Sequence, residues 1–586
     1  MKYKGIFKRN LIIIQKSLGM NRKLFFIQVM QMILSNICLY INLIIPKLII
    51  NAMSEEKVIN VAYILVFTFL FNLIDSFIEY KLVPYISLQN EIINTKVVNS
   101  FLEKSYSLKL SYFDDAKSYD KYNVVFDNCC NIYHNSNNIL LQFISSILQI
   151  TLIISILKWV DKWIFSLMFI IIIISLIVSQ KVTKIQYEYQ KKVTTQNRQL
   201  NYIYRLFYIP QFIRDMRINS LKEFIFNKKN KYTGEFLKNV QENSKAVSEV
   251  AILQSLITNI ESLGVMGYFV YEFFKGKIWL DDFFIAINSY NKLKSAIEGI
   301  ITTYTSLYEN DLYIKDYLEF MDYDEIENKT GKYILNSQID SIEFDSVYFK
   351  YPNSKNYTLK NVSFKINRGE KIAIIGSNGA GKTTIIKLLI RLYEINKGKI
   401  LINNIDIKDI DLVSLRKTFS VLFQDYSIYP FTILENIALE ENADLNLVCE
   451  ALKKVKMLDK VKTMPLFLDT PITCQLCENG IELSGGENQR IAIARILMRN
   501  KSVMVLDEPT SNLDSIIENE LYETLINNST DDILIIISHR LTFMQKIDKI
   551  ICLSDGSIKE IGTHDDLICQ NGCYKKMYDL NSSKYK

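Results

Sequence analysis

Up to about residue 320 the chain alternates long apolar runs with longer polar stretches, and beyond that point the runs shorten to strand length. The runs at 24–50, 58–80, 138–157, 163–180, 250–271 and 278–306 are each near the ~20 residues a helix needs to cross a bilayer. They predict six membrane-spanning helices, the last interrupted by Asn288, Lys292, Lys294 and Glu298. The stretches between the second and third runs and between the fourth and fifth, 81–137 and 181–249, contain no cluster of turn residues. Loops of that length without turns are uncommon, so the helices are predicted to continue as stalks beyond the headgroups. Each stalk has one polar break, FDDAKSYD at 113–120 and FIRDMRINSLKEF at 212–224, where the chain can turn and touch another domain. The predicted organisation is an α-helical membrane domain at 1–320, a linker at 321–341 and an α/β domain at 342–586.

Basic residues orient the spans. Lys2, Lys4, Lys8, Arg9, Lys16, Arg22 and Lys23 precede the first span with no acid among them, and residues 181–245 carry fourteen Lys or Arg against five acids. Both stretches belong on the cytoplasmic side. The short connections near Glu55 and Glu56, at 158–162 and at 275–282 then lie outside, and six spans return the chain to the cytoplasm. No small-residue cleavage pattern marks the N-terminus, so the first run is expected to stay in the mature protein, preceded by a helix on the membrane surface. The net charge of +6 is spread over cytoplasmic loops, which suits anionic lipid headgroups; no base-reading motif is present, and nucleic acid is not an expected partner. Among nine cysteines only Cys474 and Cys477 have a suggestive spacing. Lacking a second pair or a nearby histidine, they read as a reduced cytosolic pair.

The chemistry concentrates in the second half. Gly376, Ser377, Asn378, Gly379, Ala380, Gly381, Lys382, Thr383 and Thr384 follow the apolar strand 372–375 and lead into a helical pattern at 385–393. In a strand–glycine loop–helix of this kind, backbone N–H groups and the positive helix end cradle phosphates, a lysine reaches the terminal phosphates, and a hydroxyl such as that of Thr383 holds Mg2+. The domain therefore reads as a P-loop NTPase. The apolar strand 502–506 ends at Asp507 and Glu508. Asp507 is placed to orient Mg2+, and Glu508, one residue on, to orient a water attacking the γ-phosphate or take its proton. Gln424 and His539 each follow another apolar strand; the first offers a carbonyl to Mg2+ or water, the second a hydrogen bond to a phosphate. Ser484, Gly485 and Gly486 open a helix at 491–498 and form a second anion-binding element.

Taken in order, these motifs resemble an ATP-binding cassette (ABC) transporter of the exporter type, a bacterial half-transporter with the membrane domain first. The resemblance covers nearly the whole chain. GSNGAGKTT matches Walker A, Gln424 the Q loop, LSGGE at 483–487 the signature, VMVLDE at 503–508 Walker B, SNLD at 511–514 the D loop, and His539 the switch histidine. Tyr351 matches the aromatic that stacks on adenine, a contact needing only a flat face. The resemblance implies a type IV membrane fold of six helices and a P-loop domain with a helical subdomain. It also implies ATP and Mg2+ as ligands, and two chains clamping two ATP molecules head to tail, each between one Walker A and the other signature. A homodimer is favoured, because Glu508, His539 and the signature glycines are all present, and a heterodimer stays open. Glu487 stands where glutamine is usual, and Asn512 where alanine is common; neither removes a catalytic group.

The implied activity is ATP-driven export, by alternating access across the bacterial cytoplasmic membrane, of a small hydrophobic molecule or peptide. An importer on the same fold, an ATP-gated channel and a regulatory subunit are the alternatives. Ionisable residues inside the spans are costly and mark pathways or pairings, which makes Asp75, Glu261 and Lys292 candidates for the substrate pathway. Pro46 is a candidate kink in the first span.

Overall fold

In the computed structural model the chain is described except for residues 1, 158–161, 327–330, 337, 353, 475–477, 500, 511–514, 530, 539, 541–542 and 583–586. It divides into two units, one comprising Met1–Glu103 and Lys121–Asp322, the other Lys104–Asp120 and Tyr323–Lys586. The tip between the second and third long helices thus groups with the C-terminal unit.

The helices run in the order α1 (Lys2–Met20), α2 (Arg22–Ser54), α3 (Val58–Ser107), α4 (Ser111–Asp114), α5 (Ala116–Ile156), α6 (Lys162–Tyr208), α7 (Pro210–Ile218), α8 (Lys222–Phe274) and α9 (Leu280–Met321). α3 has 50 residues and α8 has 53. At 1.5 Å per residue each is roughly 75–80 Å long, more than twice a ~30 Å hydrocarbon core. The predicted stalks are therefore present, and the two short helices α4 and α7 overlap the N-terminal ends of the two polar breaks. Among the described residues α2, α3, Lys121–Ile156 and α8 are long and apolar enough to cross a membrane. The predicted run at 163–180 begins α6, where most side chains lie outside the described residues. The run at 278–306 is helical within α9, but Asp281, Asp282, Lys292, Lys294 and Glu298 break its apolar character.

The apolar side chains of the spans point outward. On α3, Phe67, Phe69 and Leu70 are all more than half exposed, as expected where lipid is the solvent. Pro46 lies inside α2, which continues through it. The interior of this unit is a mixture of Leu43, Ile153, Phe269 and Tyr290 with hydrogen-bonded polar groups. α1 is fastened by it: Arg9 donates to both oxygens of Asp311 at 2.7 and 2.6 Å, and Asn310 donates to Ser136 at 2.8 Å and to Asn10 at 3.2 Å. Ile6 and Ile13 are buried, while Phe7 and Leu11 stay exposed, apolar groups of the kind a helix on a membrane surface presents to lipid.

The second unit is built on two sheets. The strands are β1 (Ser341–Phe349), β2 (Leu359–Asn367), β3 (Lys371–Gly376), β4 (Lys397–Ile402), β5 (Ile405–Asp406), β6 (Phe419–Leu422), β7 (Val503–Asp507), β8 (Ile533–Ile537), β9 (Lys549–Ser554) and β10 (Ser557–Gly562). A four-stranded antiparallel sheet has the order β2-β1-β4-β5, and a six-stranded sheet the order β10-β9-β3-β8-β7-β6. In the larger sheet β9, β3, β8, β7 and β6 are parallel. Their residues are buried on both faces, which is why they read as unbroken apolar runs. Because β3, β8, β7 and β6 are neighbours and parallel, the residues following each lie side by side at one edge, where α/β sheets bind ligands.

Candidate nucleotide site

The phosphate loop leaves the tip of β3 and enters the helix Lys382–Leu389. Gly381, the residue before that helix, has φ 101°, and a Cβ there would lie 2.6 Å from Leu359; a side chain would be both strained and crowded. At Gly376 a Cβ would meet the Leu553 carbonyl oxygen at 2.2 Å. The glycines thus let the loop curl against β9. Lys382 is buried and its ammonium donates to the carbonyls of Gly376 and Ser377 at 2.9 and 3.1 Å. Burial lowers its pKa, and the charges of Glu508 and Asp507 work against that.

Thr383 donates its hydroxyl to Asp507 Oδ2 at 2.6 Å. Asp507, at the end of β7, is only 1% exposed. Burial is the largest influence on its carboxyl and raises the pKa, opposed by the Thr383 hydrogen bond. Hydroxyl and carboxylate oxygens are the donor set Mg2+ takes, with phosphate and water completing the shell, so these residues fit that ion. Among the described residues no group of three or more His, Cys, Asp or Glu is arranged for a metal, and Mg2+ beside a nucleotide needs none.

Glu508 has φ 49°, a left-handed backbone rarely adopted outside glycine and asparagine and often found at functional positions. Its N–H donates to the Ile537 carbonyl at 2.9 Å, and its carboxylate accepts from the Gln424 amide at 3.0 Å. Tyr351, Thr358, Asn378, Gly379, Ala380, Gly381, Lys382, Thr383, Thr384, Gln424 and Glu508 surround one cavity of about 460 Å3. The Tyr351 hydroxyl lies 3.1 Å from that of Thr384, and its ring meets Phe349 and Tyr393 edge-on at 5.0 and 5.2 Å. His539, with residues 511–514 and Cys477, lies outside the described residues; Cys474 is exposed and donates to the Gly480 carbonyl at 3.0 Å. Ser484, Gly485 and Gly486 are not in the wall of this cavity. They begin the helix Gly485–Arg499, whose Gly485 carbonyl accepts from Tyr426, two residues past Gln424, at 3.3 Å.

Two arrangements carried no sequence signal. Behind the β7 and β8 tips, buried Glu518 accepts from Thr510 at 2.7 Å and pairs with Arg540. Thr510 also lies 3.1 Å from the Tyr522 hydroxyl, which reaches Ser538 at 3.5 Å. The second is Tyr393, behind the Tyr351 ring, whose hydroxyl donates to Asp114 of α4 within the same unit. Burial, then Asp114, raises the Tyr393 pKa. In the other unit Asp75 and Glu261 are half-buried on separate helices, and Lys292 is exposed. Lys294, two residues on, instead ties α9 to α8 through the Thr258 carbonyl at 3.2 Å and the Ser262 hydroxyl at 2.9 Å.

Comparison with known proteins agrees with this geometry. Residues 359–511 match the family model of the ABC transporter. The chain is 34% identical over 371 residues, 62% of its length, to the subtilin transport ATP-binding protein of Bacillus subtilis. It is 38% identical over 259 residues, 44% of its length, to the ATP-dependent lipid A-core flippase of Coxiella burnetii. These matches span 60% and 43% of the two relatives. A solved structure of a bacterial Atm1-family ABC exporter with ATP bound superposes with a TM-score of 0.82 at 21% identity, over 95% of this chain and 98% of that one. A helical unit and a two-sheet P-loop unit in this order have the fold of that exporter, and residues 359–511 belong to the ABC transporter family.

Proposed function

We propose that this chain is one half of an ATP-driven exporter in the bacterial cytoplasmic membrane, working as a dimer, most simply of two identical copies. The subtilin transporter and the lipid A-core flippase among its relatives support a peptide-like or small hydrophobic substrate, taken from the bilayer or the cytoplasm. The observation that carries the reading is the cavity in which Lys382, Thr383, Gln424 and Glu508 converge while Ser484 and Gly486 are absent from its wall. Its open side needs a second anion-binding element, and a second copy has one to offer.

In this reading Tyr351 covers the adenine, and the loop N–H groups with Lys382 grip the phosphates. Lys382 exchanges its two carbonyl partners for phosphate oxygens, which accept more strongly. Thr383, Asp507 and Gln424 would hold Mg2+, which supplies charge neutralisation at the β- and γ-phosphates. Glu508, released from Gln424, orients the attacking water and takes its proton, with His539 near the γ-phosphate. The membrane unit switches access because ATP binds the clamped pair of nucleotide units better than the separated pair; without that difference no amount of binding drives transport.

Glu508→Gln tests the assignment. Purified chain in proteoliposomes should retain ATP binding while hydrolysis falls at least ~100-fold, the size of a lost general base. Turnover within a few-fold of the parent protein would remove Glu508 from the mechanism.

A further inference from the structure

The signature element of this chain ends in an acid, and its surroundings contain a matching base. Ser484 and Glu487 form a reciprocal cap at the start of the helix Gly485–Arg499: the Ser484 N–H donates to Glu487 Oε2 at 2.9 Å, and the Glu487 N–H donates to Ser484 Oγ at 3.4 Å. This is the S-x-x-E capping box, which satisfies two donors otherwise left open at a helix end. The second carboxylate oxygen, Oε1, is paired with the ammonium of Lys460 on the helix Leu458–Lys462. The Glu487 side chain is 15% exposed and that of Lys460 47%. Lys460, ahead of burial, holds the Glu487 carboxyl below the usual carboxylate range.

Two demands meet at this helix end. A carboxylate there favours the helix, since it lies against the positive end of the dipole. The same end, in the function proposed above, receives the γ-phosphate carried by a second copy, and a negative charge within one turn repels that phosphate. A glutamine would cap without the charge. Here the charge is present, and Lys460 is the group set against it.

We propose that Lys460 is a positioning residue for the composite ATP site, acting through Glu487: it pins the carboxylate onto Ser484 and cancels its charge, so that the signature helix accepts the γ-phosphate. The inference rests on the two-copy reading of the site. The bland possibility is an ordinary surface ion pair, which contributes a little stability and nothing to nucleotide affinity.

The two roles separate in a double-mutant cycle on the full chain reconstituted in proteoliposomes, with Lys460→Met, Glu487→Gln and both together. ATPase KM for ATP reads the composite site, whereas ADP, lacking the γ-phosphate, reads the phosphate-loop side alone. Lys460→Met should raise KM about tenfold, the order expected for an uncompensated charge near a phosphate, and leave ADP affinity and melting temperature nearly unchanged. In the Glu487→Gln background the same Lys460 substitution should leave KM where it was. A KM increase that survives in that background, a shift in ADP affinity equal to the shift in KM, or no KM change in Lys460→Met would each overturn the inference. Ser484→Ala keeps the two readings apart. If it leaves KM and kcat intact, the two-copy site itself is wrong; if it impairs them while Lys460→Met is silent, only the role of Lys460 falls.

Discussion

Asp507 is a carboxylate almost without solvent, set beside a hydroxyl and an ammonium. Its raised pKa has burial as the main cause, so the folded protein binds that proton more tightly than the unfolded chain does. The resulting penalty on the empty fold is absent below the unfolded carboxylate range. It grows as pH climbs toward the folded value and is complete above it. Asp507→Asn removes the penalty and the metal ligand together. Its nucleotide-free melting temperature at pH 8 should equal or exceed that of the parent, while MgATP should raise the parent's melting temperature and barely move that of the variant; hydrolysis should fall by about two to three orders of magnitude. A thermal-shift series with and without MgATP reads both effects. A nucleotide-free variant several degrees less stable would show that Asp507 serves the fold instead. The phosphate-loop residues, Gln424 and Glu508 were legible because each follows a strand whose apolar run is unmistakable, whereas Tyr351 came only from the family resemblance and Thr358, also in the cavity wall, carried no signal. Glu518 was not: it is one acid in the helix Ser515–Asn528, and nothing in spacing distinguishes an acid that is buried from one that is solvated.

That helix is the element behind the hydrolytic edge. Glu518 is 2% exposed, and with Tyr522 it ties Thr510, just past β7, to Ser538 and Arg540, on either side of His539. A buried, fully partnered network fixes geometry more than it adds stability, so its loss should appear in turnover first. Glu518→Gln keeps a group able to accept from Thr510 and loses the charge facing Arg540. We expect kcat to drop about tenfold with KM for ATP within about twofold, because the phosphate loop is untouched. Steady-state ATPase kinetics test this, and a rise in KM at constant kcat would refute it. At this level the long helices were the most readable elements. The lengths of α3 and α8 were predicted from what their sequences lack, turn clusters, and the interruptions near α4 and α7 from the polar breaks, though not that short helices would form there. α9 was harder, because ionisable residues interrupt its apolar pattern and the sequence does not show what they meet. Lys294 has partners on α8 in Thr258 and Ser262, which no pattern along a single chain encodes.

The cavity and the signature of one chain are separate places, and for the molecule as a whole this turns the question of oligomeric state into one of genetics. If Lys382 of one copy and Ser484 of the other hold the same ATP, a Lys382→Ala homodimer has a defect in both sites, and so does a Ser484→Ala homodimer. A mixed dimer is different. One of its sites collects both lesions, and the other has neither, since it draws Lys382 from the Ser484→Ala chain and Ser484 from the Lys382→Ala chain. Two inactive proteins, dissociated and reassembled together, should therefore recover hydrolysis. With random pairing half the dimers are mixed, each with one sound site, so activity should return to about a quarter of the parent value if the sites act independently. Cooperation between sites would scale that fraction without abolishing the recovery, provided one intact site can fire. Were Lys382 and Ser484 to act within a single chain, every chain in the mixture would remain defective, and no assembly of them would hydrolyse ATP. Recovery on mixing, measured against each variant reassembled alone, decides between the two arrangements.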